Sequence, residues 1–384
     1  MKNKVISYRV SRSRFRGNSP AWRWQGAYLG SRFTLHGLLF TCTAIFACGC
    51  NEPLKPTIGR PTAGRPDTIS VDTLVPEATR IVREGLADEN PLIRANAIEV
   101  VAVTKQIRLM PKVQRLLKDE FVPVRFVAAL AVGDLEYSLA ASNVAQLLND
   151  ENENIRIAAA YALSRLGSPD SFKLFRNAIA SNDQTVRANA ALLLGKSGDK
   201  SDLTRQALWW TLSREDSTDK VIFQTAEALA MLGDERIIPR VWPMLISKYA
   251  DVRVIGIRAM AALGTVEARD ALITMLDDDI LEVRLAAAEQ LGMLKDTIGE
   301  PEVLDVFRKN LTARLDKKGL ERVNVRTALA IGRIGTPRLI KYLPRFLKDE
   351  SKSVRLAAAM AVFQSITHEK GKNIGRKAKI SNGA

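Results

Sequence analysis

The chain has 384 residues, enough for two or three ordinary domains or for one extended array. Hydrophobic residues make up 46% of it and aromatic ones only 6%, so the core must be built from Ala, Leu, Val and Ile. The net charge of +15 suggests nucleic acid or a membrane as partner, but residues 1–50 hold eight Lys and Arg with no acid, residues 368–384 hold five with Glu369, and residues 51–367 keep a net of only +3. A nearly balanced middle is a poor phosphate binder, because affinity grows with the number of phosphates neutralised.

The first predicted element is an export signal. A basic stretch without acids precedes the apolar run from Leu38 to Cys50 (LLFTCTAIFACGC), and a polar, Pro-rich segment follows it. The run is too short for a comfortable membrane-spanning helix. No adjacent arginine pair supports a twin-arginine route. All three cysteines, Cys42, Cys48 and Cys50, lie in this run.

The end of the run resembles a bacterial lipoprotein lipobox, in which a cysteine after small residues becomes the lipidated first residue. Two registers fit: Ile45-Phe46-Ala47 before Cys48, and Ala47-Cys48-Gly49 before Cys50. The resemblance implies a diacylglycerol thioether on one of these cysteines. It also implies a lipid-anchored place in a bacterial cell envelope, facing the periplasm or the outside. The alternative is an ordinary cleaved signal with incidental cysteines. Residues 51–73 then read as a flexible linker, since Pro53, Pro56, Pro61 and Pro66 with Gly59 and Gly64 prevent helix or sheet.

Residues 74–367 read as one repeat. ENIRIAAAYALSRLG (153–167) returns as QTVRANAALLLGKSG (184–198), ADVRVIGIRAMAALG (250–264), LEVRLAAAEQLGMLK (281–295) and KSVRLAAAMAVFQSI (352–366). Anchored on the residue after Val or Ile, the array runs Arg94, Arg125, Arg156, Arg187, Ile222, Arg253, Arg284, Asn324, Arg355. The spacings are 31, 31, 31, 35, 31, 31, 40 and 31 residues, which places insertions near 212–219 and 296–320.

Each unit reads as two helices. The second begins near the anchor, with Pro91 and Pro123 at tolerated early positions. It is closed by Gly167, Gly198, Gly233, Gly264 or Gly335, as expected where the backbone turns left-handed. Leu, Ile and Val at three- and four-residue spacing mark the first helices, as in VWPMLISKY (241–249). An Asp stands six residues before the anchor at Asp88, Asp119, Asp150, Asp278 and Asp349. With the anchor arginines these predict a structural ladder of polar contacts along one edge. A row of arginines awaiting an acidic ligand is the competing interpretation.

The pattern D-x(4)-[VI]-R-x(2)-A-A-x-A-L-x(2)-L-G resembles the short HEAT-like repeats named after phycobilisome lyases. The resemblance implies an all-α, α-α superhelical solenoid of about nine units, pictured as a rod. Ile222 and Asn324 depart from the pattern. Proteins with such repeats include chromophore lyases, DNA glycosylases and scaffolds, so the fold alone does not choose a function.

The only histidines, His36 and His368, lie outside the array, which also has no cysteine. This removes His/Cys metal sites and Ser-His or Cys-His nucleophiles from it. No cofactor is expected. Two residue sets are candidate protein-binding surfaces. Positions five and nine after the anchor share one face of the second helix and supply Tyr161, Arg165, Lys196, Glu227, Met231, Arg258, Met293 and Arg333. Trp209, Trp210 and Trp242 form the other set, in which one tryptophan could instead fill the gap left by the irregular unit. Residues 368–384 read as a basic disordered tail. The expected function is a non-catalytic, membrane-anchored scaffold binding a protein partner. A lyase-like enzyme and a nucleic-acid binder are the alternatives.

Overall fold

The computed structural model describes residues 70–381, with side chains as far as Ile366, and all of these belong to one compact unit. The export signal with Cys42, Cys48 and Cys50, and the linker up to residue 69, lie outside the described residues. Among the described residues there are helices and turns and no strand.

Nine two-helix units are present among the described residues. The second helices are Pro91–Val103, Val122–Asp134, Glu153–Arg165, Gln184–Ser197, Asp219–Met231, Ala250–Leu263, Leu281–Met293, Lys317–Ile334 and Lys352–Ser381. The first helices are shorter; that of unit one is Val75–Gly85, that of unit five Asp202–Ser213 and that of unit six Ile238–Leu245. Side-chain caps start several second helices. Asn90 accepts from the Leu92 N–H, Asn152 from Asn154, and Asp183 from Thr185 and Val186. The first insertion is a longer first helix plus the loop after Ser213. The second holds the turns before Lys317 and lengthens the helix that follows.

The second helices stop at one register. The residue eleven places after the anchor has positive φ in eight units: Lys105 (54°), Glu136 (50°), Gly167 (98°), Gly198 (72°), Gly233 (70°), Gly264 (66°), Lys295 (65°) and Gly335 (62°). Five are the predicted glycines, and three carry a side chain. Adjacent second helices approach through small residues. A Cβ added to Gly133 would lie 2.9 Å from Ala162 Cα, and one on Gly195 would lie 2.8 Å from Ala228 Cα. This contact lets Ala, Leu and Val of successive units form one continuous core.

The solenoid closes on itself. Both helices of unit one pack against the last helix, Lys352–Ser381. A Cβ on Gly85 would meet Leu356 Cδ2 at 3.2 Å, and Lys352 Nζ donates to Asp88 Oδ2 at 2.6 Å. The expected rod is therefore a ring. A small rotation repeated at each junction has brought unit nine onto unit one. The last helix also runs on through 368–381, where the sequence suggested a disordered tail. No proline interrupts that stretch, and its Lys, Arg and Ala favour helix.

Candidate functional site

The anchor arginines form a ladder that joins most units to the next. Arg94 Nη1 donates to the carbonyls of Asp88 and Glu89 in its own turn, at 2.8 and 2.9 Å. Its Nε and Nη2 grip both oxygens of Asp119 in unit two, each at 2.8 Å. Arg125 Nη2 reaches Asp150 at 3.1 Å, and Arg253 Nη2 reaches Asp278 and Asp279 at 2.9 Å. Arg284 turns to Glu302 at 3.0 Å, and Asn324 substitutes with a hydrogen bond from Nδ2 to Asp349 Oδ2 at 3.2 Å. Arg355 bonds only the carbonyls of Asp349 and Glu350 in its own turn. In the row it faces, Asp88 is bound to Lys352.

Sequence reading missed one member. Arg187, fully buried, donates to Asp216 at 3.0 and 3.1 Å. Asp216 also stands six residues before its own anchor, but that anchor is Ile222, so a search keyed to arginine passes over it. Hydrogen bonds from Arg214 and Arg187 hold the Asp216 carboxyl far below its ordinary range.

Positions five and nine point into the ring, and closure makes that face an interior. Tyr161, expected on a protein-binding surface, is buried, and its hydroxyl donates to Asp134 Oδ1 at 2.6 Å. Burial, with Asp134 beside it, pushes the phenol well above its ordinary value. Lys196 pairs with Asp134 at 2.9 Å and Arg258 is locked on Glu227. Arg326 Nη1 donates to Glu289 at 3.3 Å. Arg165 pairs with Glu136 at 2.6 Å nearer the solvent, Met231 and Arg333 are half-buried, and Met293 is exposed. The inner row is thus mostly committed to itself, which corrects the expectation of an open protein-binding surface.

Glu99 on the second helix of unit one, five residues after Arg94, belongs to the same inner row but is not among the residues singled out from the sequence. It is 6% exposed and its Oε2 has no hydrogen-bond partner. Burial pushes its carboxyl up to about 8. Lys196, Arg258 and Arg333 pull the other way and Glu289 adds to the rise. Charges from units four, six, seven and eight acting on unit one show how small the ring's centre is.

The tryptophans divide. Trp209 packs against the core and donates Nε1–H to Asp234 Oδ2 at 2.9 Å, with the Arg236 guanidinium 5.6 Å from its ring. The hydrogen bond from Arg236, followed by that from Trp209, lowers the Asp234 carboxyl to about 2. Trp210 is 50% exposed beneath Arg214, 4.7 Å from the ring. Trp242 lies on a short helix whose outer face is apolar: Pro239, Trp242, Pro243 and Ile246 are all exposed, at spacings of three, four and seven. Ile246 is 82% exposed and Tyr249 beyond it 41%. Exposed Arg240 and Lys248 flank the strip.

Among the described residues no group of three or more His, Cys, Asp or Glu could hold a metal ion, and no helix is long and apolar enough to cross a membrane. The family model for HEAT repeats matches residues 109–195, 140–230 and 243–317, about half of the chain. No curated protein sequence matches. Solved structures that resemble the chain include the CpcE–CpcF complex of phycocyanin lyase from Nostoc sp. PCC7120, at 20% identity and a TM-score of 0.38, covering 66% of this chain and 94% of that one. Human deoxyhypusine hydroxylase in complex with glycerol matches at 19% identity and 0.34, covering 69% and 98%. Importin beta matches at 16% and 0.33, covering 76% and 47%. Likeness at this level carries no ligand or activity to the present chain.

Proposed function

The chain belongs to the HEAT-repeat family, and from that premise we propose that it is a non-catalytic scaffold, lipid-anchored in the cell envelope, that binds another protein through the outer face of units five and six. The observation that carries this reading is the exposed strip of Trp242, Pro243 and Ile246, with Trp210 on the first helix of unit five and Tyr249 just past the strip. Aromatic side chains with arginine nearby are the usual energetic anchors of protein interfaces. Two prolines within an eight-residue helix present them stiffly, which lowers the ordering cost of binding. The inner face offers less, since most of its charged groups already have partners.

The anchor is part of the proposal and rests on the lipobox-like Cys48 and Cys50. Two experiments test the reading. Full-length protein should capture a partner from envelope extract, and the double variant Trp242→Ala/Ile246→Ser should lose it while keeping its helical circular dichroism. Replacing Cys48 and Cys50 by Ser should release the protein from the membrane fraction. Capture unaffected by the double variant refutes the outer strip, and an unchanged membrane fraction refutes the lipid anchor.

A further inference from the structure

The Asp that stands six places before the anchor in six of the nine units does two things. It accepts the backbone N–H two residues on, closing the turn, as Asp119 does for Phe121 at 3.0 Å and Asp278 for Ile280 at 2.9 Å. It also receives the arginine of the preceding unit. Lys318 stands there before Asn324, and at the two remaining positions a serine replaces the Asp and separates these roles. Ser181 Oγ accepts from the Asp183 N–H and Ser247 Oγ from the Tyr249 N–H, both at 3.2 Å, so the turn is kept without the carboxylate.

At Ser247 the change is matched, because the preceding anchor is Ile222 and there is no guanidinium to satisfy. At Ser181 it is not. Arg156 is retained. Its Nη1 donates to the carbonyls of Asp150 and Glu151 at 2.9 and 3.0 Å, as in the other units, but among the described residues no carboxylate bonds its remaining donors. Arg156 and Ser181 instead line a cavity of about 480 Å³ between units three and four, with apolar walls from Leu148, Ile157 and Leu174. Glu153 stands at its side.

We propose that this cavity is a receptor for a single carboxylate side chain of a bound peptide, an Asp or Glu flanked by an aliphatic residue. The chemistry is displayed four times in the same molecule. Arg94, Arg125, Arg187 and Arg253 each hold an aspartate from the following unit. A peptide acid would complete the ladder where the chain does not complete it. The apolar walls take the flanking side chain. This inference rests on the scaffold reading and adds the partner's chemistry to it.

The test uses full-length protein at 150 mM salt and an array of acetylated, amidated heptapeptides with Leu or Ile beside a central Asp, Glu, Asn or Gln. Asp or Glu peptides should bind at least about tenfold more tightly than their amides, the scale of a charge-assisted hydrogen bond. Ser181→Asp places a carboxylate in the ladder position. It should raise the melting temperature and weaken Asp-peptide binding by a similar factor, and Arg156→Gln should abolish the preference for acid over amide. Equal binding of Asp and Asn peptides, no binding by any peptide, or binding unchanged by Ser181→Asp overturns the inference. If Ser181→Asp still captures the envelope partner that Trp242→Ala/Ile246→Ser loses, the scaffold reading survives and the cavity has no part in it.

Discussion

Lys105, Glu136 and Lys295 hold a backbone conformation that five other units give to glycine. An L side chain in the left-handed region costs about 1 kcal/mol, because its Cβ crowds the following carbonyl. Lys105→Gly should therefore stabilise the protein by about 1 kcal/mol in chemical denaturation, partly offset by the greater freedom glycine has when unfolded. Gly198→Ala should cost a similar amount in the other direction. The position was visible in the sequence as the glycine eleven residues after the anchor. The non-glycine members were not, since nothing in a lysine or glutamate announces positive φ. Glu99 is a second residue with a measurable signature. Burial raises its carboxyl from the ordinary 4.5 to about 8, so the folded state holds the proton more tightly than the unfolded state. Below pH 4.5 both states are protonated and Glu99 adds no pH dependence. Between 4.5 and 8 the unfolded chain ionises while the folded one does not, and stability falls as pH rises. Glu99→Gln should flatten that decline and make the protein more stable than the native sequence at pH 8, as read from denaturation midpoints at pH 5 and 8.

At the scale of the repeat, the ladder joins units rather than decorating them. The side chains of Arg94 and Asp119 are 10% and 7% exposed, and the pair spans two units. Removing one partner of a buried pair leaves the other charge unpaired, at a cost of about 3 kcal/mol. Asp119→Ala should show that loss in equilibrium unfolding. Lys173→Ala, which removes an exposed contact to Asp170, should change stability by under about 0.5 kcal/mol. Most of the ladder was legible, because a 31-residue period returns Arg and Asp to the same places. Asp216 was passed over because the pattern was keyed to an arginine that unit five lacks. The exposed strip around Trp242 was half legible. Tryptophan marked the helix, but only the packing decides that Val241, Met244 and Leu245 turn inward while Trp242, Pro243 and Ile246 turn out.

Closure is the property of the whole molecule that no local pattern announces. Whether unit nine meets unit one depends on rotations summed over every junction, and a few degrees per unit separates a ring from an open spiral. The consequence was large, since it turned the inner row of Tyr161, Lys196 and Arg258 from an expected binding surface into an interior. It also changes how a perturbation should spread. In an open array each unit touches only its neighbours, so damage in unit one reaches unit two and fades. In the ring, unit nine is a neighbour too. Gly85 sits at the closing junction, where an added Cβ would lie 3.0 Å from Ala97 Cβ and 3.2 Å from Leu356 Cδ2. Gly85→Val overfills that junction and should loosen it. Amide hydrogen exchange should then accelerate in residues 352–363, more than 260 positions away in sequence, as well as in 91–103. Residues 184–197, on units not adjacent to the break, should keep their protection. Faster exchange in 91–103 with 352–363 unchanged would mean that in solution the solenoid stands open.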